Sequence, residues 1–462
     1  MDTSVLFDRQ LINRYDTAGP RYTSYPTALQ FSNAYDARNY IEWVQDSNDD
    51  PIPSDLSLYF HIPFCDTVCY YCGCNKIVTR DKQKAEDYIQ LLMREIALQG
   101  ELFGADRRVT QMHWGGGTPT FLDDAQISRI IRCANEHFNV DNESGEFAIE
   151  ADPRTVDSSR IERLRQMGFN RISFGVQDFD PDVQRAVNRV QETRTIIDNI
   201  AAARRTGFRS INIDLMYGLP LQSLESFRRT LQTTLEADPD RIALYNYAHM
   251  PDLFKPQRRI DDGTLPLPGD KLDILQLAID SLQTAGYVYI GMDHFAKRDD
   301  SMTRALEEGR LQRNFQGYST HAGTDIVAMG ITAISQIGGN YSQNVKSLDE
   351  YEIALSQRTI PVTRGCELDA DDMLRRDLIN KLMCDFRLDI PDFESEWDIR
   401  FADYFDSAIS RLREMQQDGL LEMDEESIRI TPAGRLLVRI ICMEFDRYLK
   451  ERYREERYSR VI

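Results

Sequence analysis

Four cysteines lie within ten residues of this chain, in the segment HIPFCDTVCYYCGCNK, at Cys65, Cys69, Cys72 and Cys74. Thiolates with the spacing of the first three can hold three corners of a cubane iron–sulfur cluster, leaving the fourth iron open to a small molecule. The alternatives are a zinc site made from all four cysteines, or a closed four-cysteine cluster that only transfers electrons. A single residue separates Cys72 from Cys74, and this short spacing makes it difficult for both thiols to serve as ligands in either alternative site. We therefore expect a [4Fe–4S] cluster ligated by Cys65, Cys69 and Cys72.

The elements that must position these thiols alternate between short β-rich runs and helical stretches from about residue 56 to 250. The predicted strands are 57–62, 109–114, 146–150, 171–176, 210–217 and 241–247, with helices such as 84–100 and 224–237 between them. Repeated strand–helix alternation predicts parallel strands joined by right-handed crossovers. The alternation alone does not distinguish a doubly wound sheet from an open barrel.

The positions of the chemically unusual residues favour the barrel. The cysteines follow the first strand, and further candidates lie at or just after the ends of the later strands. These candidates are Gly115, Gly116, Gly117, Glu150, Gln177, Asp214, Ala248 and His249. Because barrel active sites collect at the carboxyl ends of the strands, we expect an α/β fold with an open, partial β/α barrel and its active site at that end.

The charge of the chain limits its partners. Lysine and arginine total 55 against 75 aspartate and glutamate, a net charge of −20. Such a surface repels nucleic acid, and a polyanionic ligand would need a local basic pocket. No apolar run approaches the ~20 residues of a membrane span, and the N-terminus lacks a signal-peptide pattern. We expect a cytoplasmic protein with neither nucleic-acid nor membrane partners.

Three regions are predicted along the chain. Residues 1–55 look irregular and should pack over the barrel mouth, and residues 56–364 should form the catalytic barrel with an extension. Residues 365–462 should form a mainly helical domain, because helical patterns at 373–386 and 401–417 precede a short strand pair at 420–431. This layout is winged-helix-like, but its acidity favours a structural or lid role over DNA binding.

The cysteine spacing after a strand resembles the signature of the radical S-adenosylmethionine (SAM) superfamily. Further blocks in order resemble the oxygen-independent coproporphyrinogen III oxidase family of haem biosynthesis: GPRYTSYPTA, SLYFHIPFC, CYYCGCNKIVTR, HWGGGTPT, GFNRISFGVQDF, NIDLMYGLP, YNYAHMP, GMDHFA and NFQGYST. The resemblance implies that a 5′-deoxyadenosyl radical removes a hydrogen from the β-carbon of two propionates. Loss of CO2 and an electron then gives two vinyl groups, and hence protoporphyrinogen IX.

The resemblance also implies a site, assigned position by position. SAM at the cluster would contact Tyr59, Gly115, Glu150 and Ile334, and Thr118 in the glycine segment is a further cofactor-binding candidate. A second SAM, making two per chain, would contact Tyr71, Gly116, Gly117, Gln177, Arg189, Asp214 and Ala248. The segment THAGTD departs from the family's TQGDTD-like pattern, so we do not count His321 as functional.

Cys74, Tyr59 and Arg21 are the predicted catalytic residues. Cys74 is expected to act in decarboxylation rather than cluster assembly, with simple packing as the alternative. Arg21, with Lys76 or Arg313, is expected to meet propionates at the barrel mouth, since a guanidinium can bond both carboxylate oxygens. The implied partners are coproporphyrinogen III, a flavodoxin- or ferredoxin-like electron donor and an electron acceptor, acting with a monomer.

Two other functions remain open from the sequence. One is a different radical SAM reaction on a tetrapyrrole. The other is a haem-binding chaperone of the same family, which lacks the fourth cysteine and the long N-terminal segment. Both features are present here, at Cys74 and GPRYTSYP, which favours the oxidase.

Overall fold

The computed structural model describes residues 4–451, 460 and 462. Its main element is a mixed sheet of thirteen strands. Twelve of them form a continuous path: β1 (Leu56–Ile62), β2 (Arg108–Gly116), β3 (Glu146–Ala151), β4 (Arg171–Gln177), β5 (Ser210–Tyr217), β6 (Arg241–Asn246), β7 (Tyr287–Gly291), β8 (His294–Lys297), β9 (Asp325–Met329), β10 (Ile334–Ile337), β11 (Asn340–Asn344) and β12 (Val362–Glu367). The thirteenth, Asn139–Val140, pairs with β2.

The spatial order of the path is β7-β8-β6-β5-β4-β3-β2-β1-β9-β10-β11-β12. The run from β6 to β9 is parallel throughout, and the strands at both flanks are antiparallel. All six strands expected from the sequence are present as parallel neighbours, within about two residues of the predicted bounds. The prediction of parallel strands is confirmed, and β9 extends them beyond the predicted set.

Side chains from across the sheet share one internal cavity, which a flat sheet would not allow. Gln111 on β2, Glu150 on β3, Asp214 on β5, Tyr245 on β6 and His294 on β8 all line a lumen of about 160 Å³. The sheet is therefore wrapped around this lumen. Among the described residues, the outermost strands β7 and β12 do not pair with each other. The fold is thus an open barrel, as expected from the sequence.

Helices cover the outside of the sheet and lie beyond it in the C-terminal region. They are Arg9–Tyr15, Ala37–Asn48, Lys82–Gly100, Asp124–His137, Ser158–Gln166, Pro181–Ala186, Thr193–Thr206, Leu224–Ala237, Pro268–Thr284, Ser301–Glu307, Leu348–Ser356, Ala370–Asp385, Ile390–Trp397, Phe401–Tyr404, Asp406–Gln417, Val438–Met443 and Arg447–Glu451. Capping boxes at Asp123 and Ser223 start two of the crossover helices. No described helix has the length and apolarity needed to cross a bilayer.

The N-terminal segment is more ordered than its sequence suggested. It contains two helices, Arg9–Tyr15 and Ala37–Asn48, where an irregular segment was expected. Asp36 caps the second helix, and its Tyr40 and Val44 are fully buried. Burial of this apolar stripe, rather than local propensity, explains why the helix forms.

The C-terminal region holds the N-terminal segment in place. The Tyr22 hydroxyl donates to Asp446 at 3.0 Å, and the backbone N–H of Arg447 donates to the Tyr25 hydroxyl at 3.2 Å. Both tyrosines are at most 4% exposed. The two ends of the chain therefore pack together.

The predicted pattern of helices and a strand pair is present in the C-terminal region. A three-stranded antiparallel sheet has Ser427–Ile430 between Arg387–Asp389 and Leu421–Met423. The helix predicted at 401–417 is divided in two at Phe405. Part of the predicted domain at 365–462 lies outside the described residues, namely 452–459 and 461.

Candidate active site

A cavity of about 380 Å³ lies at the carboxyl ends of the central strands. Most of the residues predicted from the sequence to form the site line it. They are Cys65, Cys69, Tyr71, Cys72, Cys74, Gly116, Gly117, Thr118, Glu150, Gln177, Arg189 and Asp214. The fold thus brings residues from the first strand to the fifth together in one place, at the end of the barrel expected from the sequence.

The cysteines lie on a loop that leaves the end of β1. Cys65 belongs to a two-residue strand, Phe64–Cys65, that pairs with Ile77–Val78, and the loop between them carries the other thiols. All four are free cysteines. Within the described residues, no three His, Cys, Asp or Glu side chains converge as ligands of a single ion. A cubane cluster instead takes each thiolate at a different iron, so this arrangement suits a cluster better than zinc.

Two arginines flank Cys69. Arg189 Nη1 lies 3.4 Å and Arg154 Nη2 lies 3.9 Å from its sulfur. Asp152 holds both guanidinium groups, at 3.1 Å from Arg189 and 2.6 Å from Arg154. Arg189 therefore pairs with Asp152, and not with Asp214 as the sequence alone had left open. Both guanidinium groups therefore face the sulfur of Cys69.

Cys72 and Cys74 interact directly. A hydrogen bond from the Cys74 thiol lowers the pKa of Cys72 to about 5, and the same bond raises the pKa of Cys74. Lys76 Nζ donates to the backbone carbonyls of Cys72 at 3.1 Å and of Cys74 at 3.4 Å. Lys76, one of the side chains proposed to meet propionates, is thus used to hold the cysteine loop.

The glycine segment is required by packing as well as by any ligand. Gly116 has φ +114°, and a Cβ there would lie 2.6 Å from the His61 ring. A Cβ on Gly117 would lie 2.7 Å from the backbone of Pro63, and one on Gly115 would lie 2.9 Å from Glu150 Oε1. Only glycine allows β2 to approach the start of the cysteine loop so closely.

Two carboxylates line the cavity in different surroundings. Glu150 Oε1 lies 3.2 Å from His113 Nε2, and the His113 ring stacks on Tyr59 at 5.8 Å. Asp214 accepts hydrogen bonds from Asn212 at 2.7 Å and Ser173 at 3.2 Å. Burial raises the pKa of Asp214 to about 7, and the nearby Glu150 carboxylate adds to the shift.

Sequence reasoning missed two side chains that position this site. His113 alternates with Gln111 and Gly115 on the inner face of β2, and that period of two was the available signal. Gln257 donates to the backbone carbonyls of Tyr71 at 3.0 Å and Ala248 at 3.3 Å. No local pattern around Gln257 pointed to this link, since its partners are distant in the sequence.

Some predicted residues lie away from the cysteine cavity. Ile334 on β10 packs in an apolar cluster with Phe31 and Tyr341. Ala248 lines a separate cavity of about 70 Å³, together with Arg21. Tyr59 does not line the cysteine cavity, and its ring stacks on that of His113, the partner of Glu150.

Arg21 and Arg313, two of the basic candidates, have partners within the chain. Arg21 forms an ion pair with Asp293. Arg313 Nε donates to the Arg21 carbonyl at 3.4 Å, and its guanidinium lies over the Tyr318 ring at 4.8 Å.

His321 lies at the other end of the barrel, 3.5 Å from Glu146. It lines a cavity with Asp55, the residue before β1. This agrees with leaving His321 out of the predicted site.

The chain is similar to known proteins over its whole length. It matches the Radical SAM superfamily over residues 59–234 and the HemN C-terminal domain over residues 368–437. It is 49% identical over 456 residues to the oxygen-independent coproporphyrinogen III oxidase of Escherichia coli (strain K12), covering 99% of this chain and 98% of that protein. The protein of the same name from Pseudomonas aeruginosa is 48% identical over 466 residues, covering 100% of both.

The fold of the chain is also similar to that of a solved structure. Described as "Coproporphyrinogen III oxidase (HemN) from Escherichia coli is a Radical SAM enzyme", it has a TM-score of 0.91 and 48% identity, and covers 96% of this chain and 100% of that chain.

Proposed function

This chain belongs to the family of oxygen-independent coproporphyrinogen III oxidases, which are radical SAM enzymes, and on that basis we propose that it converts coproporphyrinogen III to protoporphyrinogen IX. In each of two propionates, the β-carbon loses a hydrogen atom and the side chain then loses CO2 and one electron to become a vinyl group. The observation that carries this proposal is the full-length similarity, combined with four cysteines and most of the SAM-binding candidates in one cavity.

The residues present fit the family's cofactors. Cys65, Cys69 and Cys72 would hold the [4Fe–4S] cluster, because all three are free thiols lining one cavity beside cationic Arg189. When bound, the reduced cluster and SAM supply the 5′-deoxyadenosyl radical, whose reactivity no side-chain acid or base can match. The protein's own contribution is binding, orientation and control of charge.

The SAM sites divide along the cavity. Toward the cluster, the Gly115 segment offers close backbone approach, and Glu150, oriented by His113, can accept hydrogen bonds from ribose hydroxyls. A second SAM would be bounded by Tyr71, Gln177, Arg189 and Asp214. Ile334 and Ala248 remain in the proposal because they match family positions, although neither lines this cavity.

Cys74 is proposed to act in decarboxylation. Cys74 lines the cavity beside Cys72, and it does not belong to any apolar cluster of the described residues. A cysteine retained only for packing would be buried among apolar neighbours. This position supports a role at the reacting end of the substrate.

We further propose that the enzyme acts as a cytoplasmic monomer without nucleic-acid or membrane partners. A flavodoxin- or ferredoxin-like protein would reduce it, and a separate acceptor would take the electron released with CO2. The C-terminal region is proposed to have a structural role, since it anchors the segment that carries Arg21.

The test is anaerobic turnover. Reconstituted protein is incubated with SAM, a reductant and coproporphyrinogen III, and the products are oxidised and separated as porphyrins. We expect protoporphyrin from the wild type, which should hold about four irons per chain. Cys69→Ala should lose iron and SAM cleavage. Cys133→Ala, a buried cysteine on the helix Asp124–His137, should retain both. Haem binding without porphyrinogen turnover would support the chaperone instead.

A further inference from the structure

A second, larger cavity of about 560 Å³ lies under the N-terminal segment. Its walls come from residues 20–24 and 27–29, Phe315, Lys346 and Arg364. Lys346 follows the carboxyl end of β11, and Arg364 pairs with Gln343 near the same end of that strand. Because β11 runs in the same direction as β9 and β1, this cavity lies at the edge of the sheet where the cysteine loop leaves it.

The charge in this cavity differs from that of the chain as a whole. Although acidic residues outnumber basic ones by 75 to 55, the lining contains three basic side chains and no carboxylate. Arg21 is already paired with Asp293. Lys346 and Arg364 make no ion pair with any carboxylate of the described residues. Burial lowers the pKa of the Arg364 guanidinium, and no acidic neighbour offsets this effect.

The geometry of Arg364 suits a carboxylate. Its Nε donates to Gln343 Oε1 at 2.6 Å, and the guanidinium lies 5.5 Å from the centre of the Phe31 ring. These contacts fix the guanidinium and leave its two terminal nitrogens available. Two parallel N–H groups form the bidentate arrangement that arginine makes with carboxylates.

Hydrogen bonds connect Arg364 to the cysteine loop. Gln343, which accepts from Arg364, donates from Nε2 to the Thr332 carbonyl at 3.0 Å. The Thr332 hydroxyl lies 3.4 Å from the Nδ2 of Asn75, the residue after Cys74. Phe315 in the cavity wall also packs in the same apolar cluster as Ile334. The basic cavity is thus tied to the edge of the candidate active site.

We propose that this cavity binds carboxylate arms of the substrate, with Arg364 and Lys346 as specificity-determining residues. This inference rests on the proposed function, because coproporphyrinogen III carries four propionates on an apolar macrocycle. The positive charge of Arg21 is already neutralised by Asp293, so Arg21 alone cannot balance four propionates. Arg364 and Lys346 supply two further positive charges for the propionates. Phe315 and the 44% exposed Leu29 offer apolar surface to the pyrrole rings.

The test compares Arg364→Gln and Lys346→Gln with Arg358→Gln. Arg358 is 73% exposed and pairs with Glu101, so its replacement removes the same charge elsewhere. Each of the first two variants should raise the KM for coproporphyrinogen III about 10-fold or more. The control should match the wild type, and iron content and substrate-free SAM cleavage should be unchanged in all three.

Two further measurements separate recognition from folding. Wild-type protein should bind coproporphyrin III more tightly than its tetramethyl ester, and Arg364→Gln should lose most of this preference, while Arg364→Lys should recover part of it. Lys346 is exposed, so its replacement leaves folding intact and carries the test if Arg364→Gln is unstable. Unchanged KM in Lys346→Gln and in a folded Arg364→Gln would overturn the proposal. Failure of the wild type to turn over substrate would instead refute the proposed function.

Discussion

Asp152 is the residue whose loss should disturb the candidate site most, because one carboxylate holds two arginines beside Cys69. Asp152 and Arg189 are each only 8% exposed, whereas Arg154 is 24% exposed. In Asp152→Asn, Arg189 would keep its hydrogen bond to the Gly175 carbonyl but lose its ionic partner. Removing one member of a buried pair typically costs about 3–5 kcal/mol, since the other charge stays buried. We expect a decrease in the free energy of unfolding within that range.

The assay is urea unfolding of the cluster-free protein, with Asp198→Asn as the matched control. Asp198 forms an i,i+4 pair with Arg194 at 2.9 Å, with side chains 48% and 83% exposed. Its replacement should cost less than about 0.5 kcal/mol. If Asp152→Asn destabilises the protein no more than the control does, the buried pair does not have the role assigned to it.

The pH dependence provides an independent check. Burial acts to raise the pKa of Asp152, but Arg189 and Arg154 outweigh it and lower the pKa. A carboxylate with a lowered native pKa stabilises the fold fully above its unfolded pKa of about 3.9, and less as the pH falls toward the native value. The difference between wild type and Asp152→Asn should therefore be constant from about pH 7 to 5 and narrow below about pH 4.

Three other predictions concern the lining of the cavity. Cys74→Ser should keep about four irons per chain but largely lose vinyl formation; full turnover would leave only a packing role, and loss of iron would make Cys74 a ligand. Glu150→Gln should weaken SAM binding about 10-fold at unchanged iron content, measured by equilibrium binding, because a neutral amide accepts a weaker hydrogen bond; unchanged affinity would contradict the ribose contact. Gly116→Ala should destabilise the protein by about 1–3 kcal/mol in thermal unfolding, whereas Gly269→Ala, whose added Cβ meets nothing within 4 Å, should not.

Much of the barrel could be predicted from the sequence because each parallel strand is a short, buried, β-rich run. The same regularity located the candidate site, since the end of each strand marks one wall of the cavity. Cys74, Gly117, Gln177 and Asp214 were all found in this way. These are local signals, and they required no knowledge of which strands pair.

The remaining features depend on contacts between residues far apart in the chain. The pairing of Arg189 with Asp152 was not visible, because Asp214 was an equally reasonable partner by charge alone. The helix Ala37–Asn48 was missed although Asp36 and the apolar stripe of Tyr40 and Val44 are local signals for it. Which surface buries that stripe depends on the tertiary fold, and this was not visible in the sequence. Likewise, Arg364 lines a cavity together with residues that precede it by more than 300 positions, and no sequence motif predicts this contact.

The anchoring of Tyr22 and Tyr25 by Asp446 and Arg447 has a consequence for biosynthesis. The N-terminal residues that line the basic cavity leave the ribosome before the barrel strands, and their anchors leave after those strands. Because the barrel strands emerge between them, those strands can pair before residues 446 and 447 are available to hold the N-terminal segment. The N-terminal segment is therefore secured only after the barrel strands have been made.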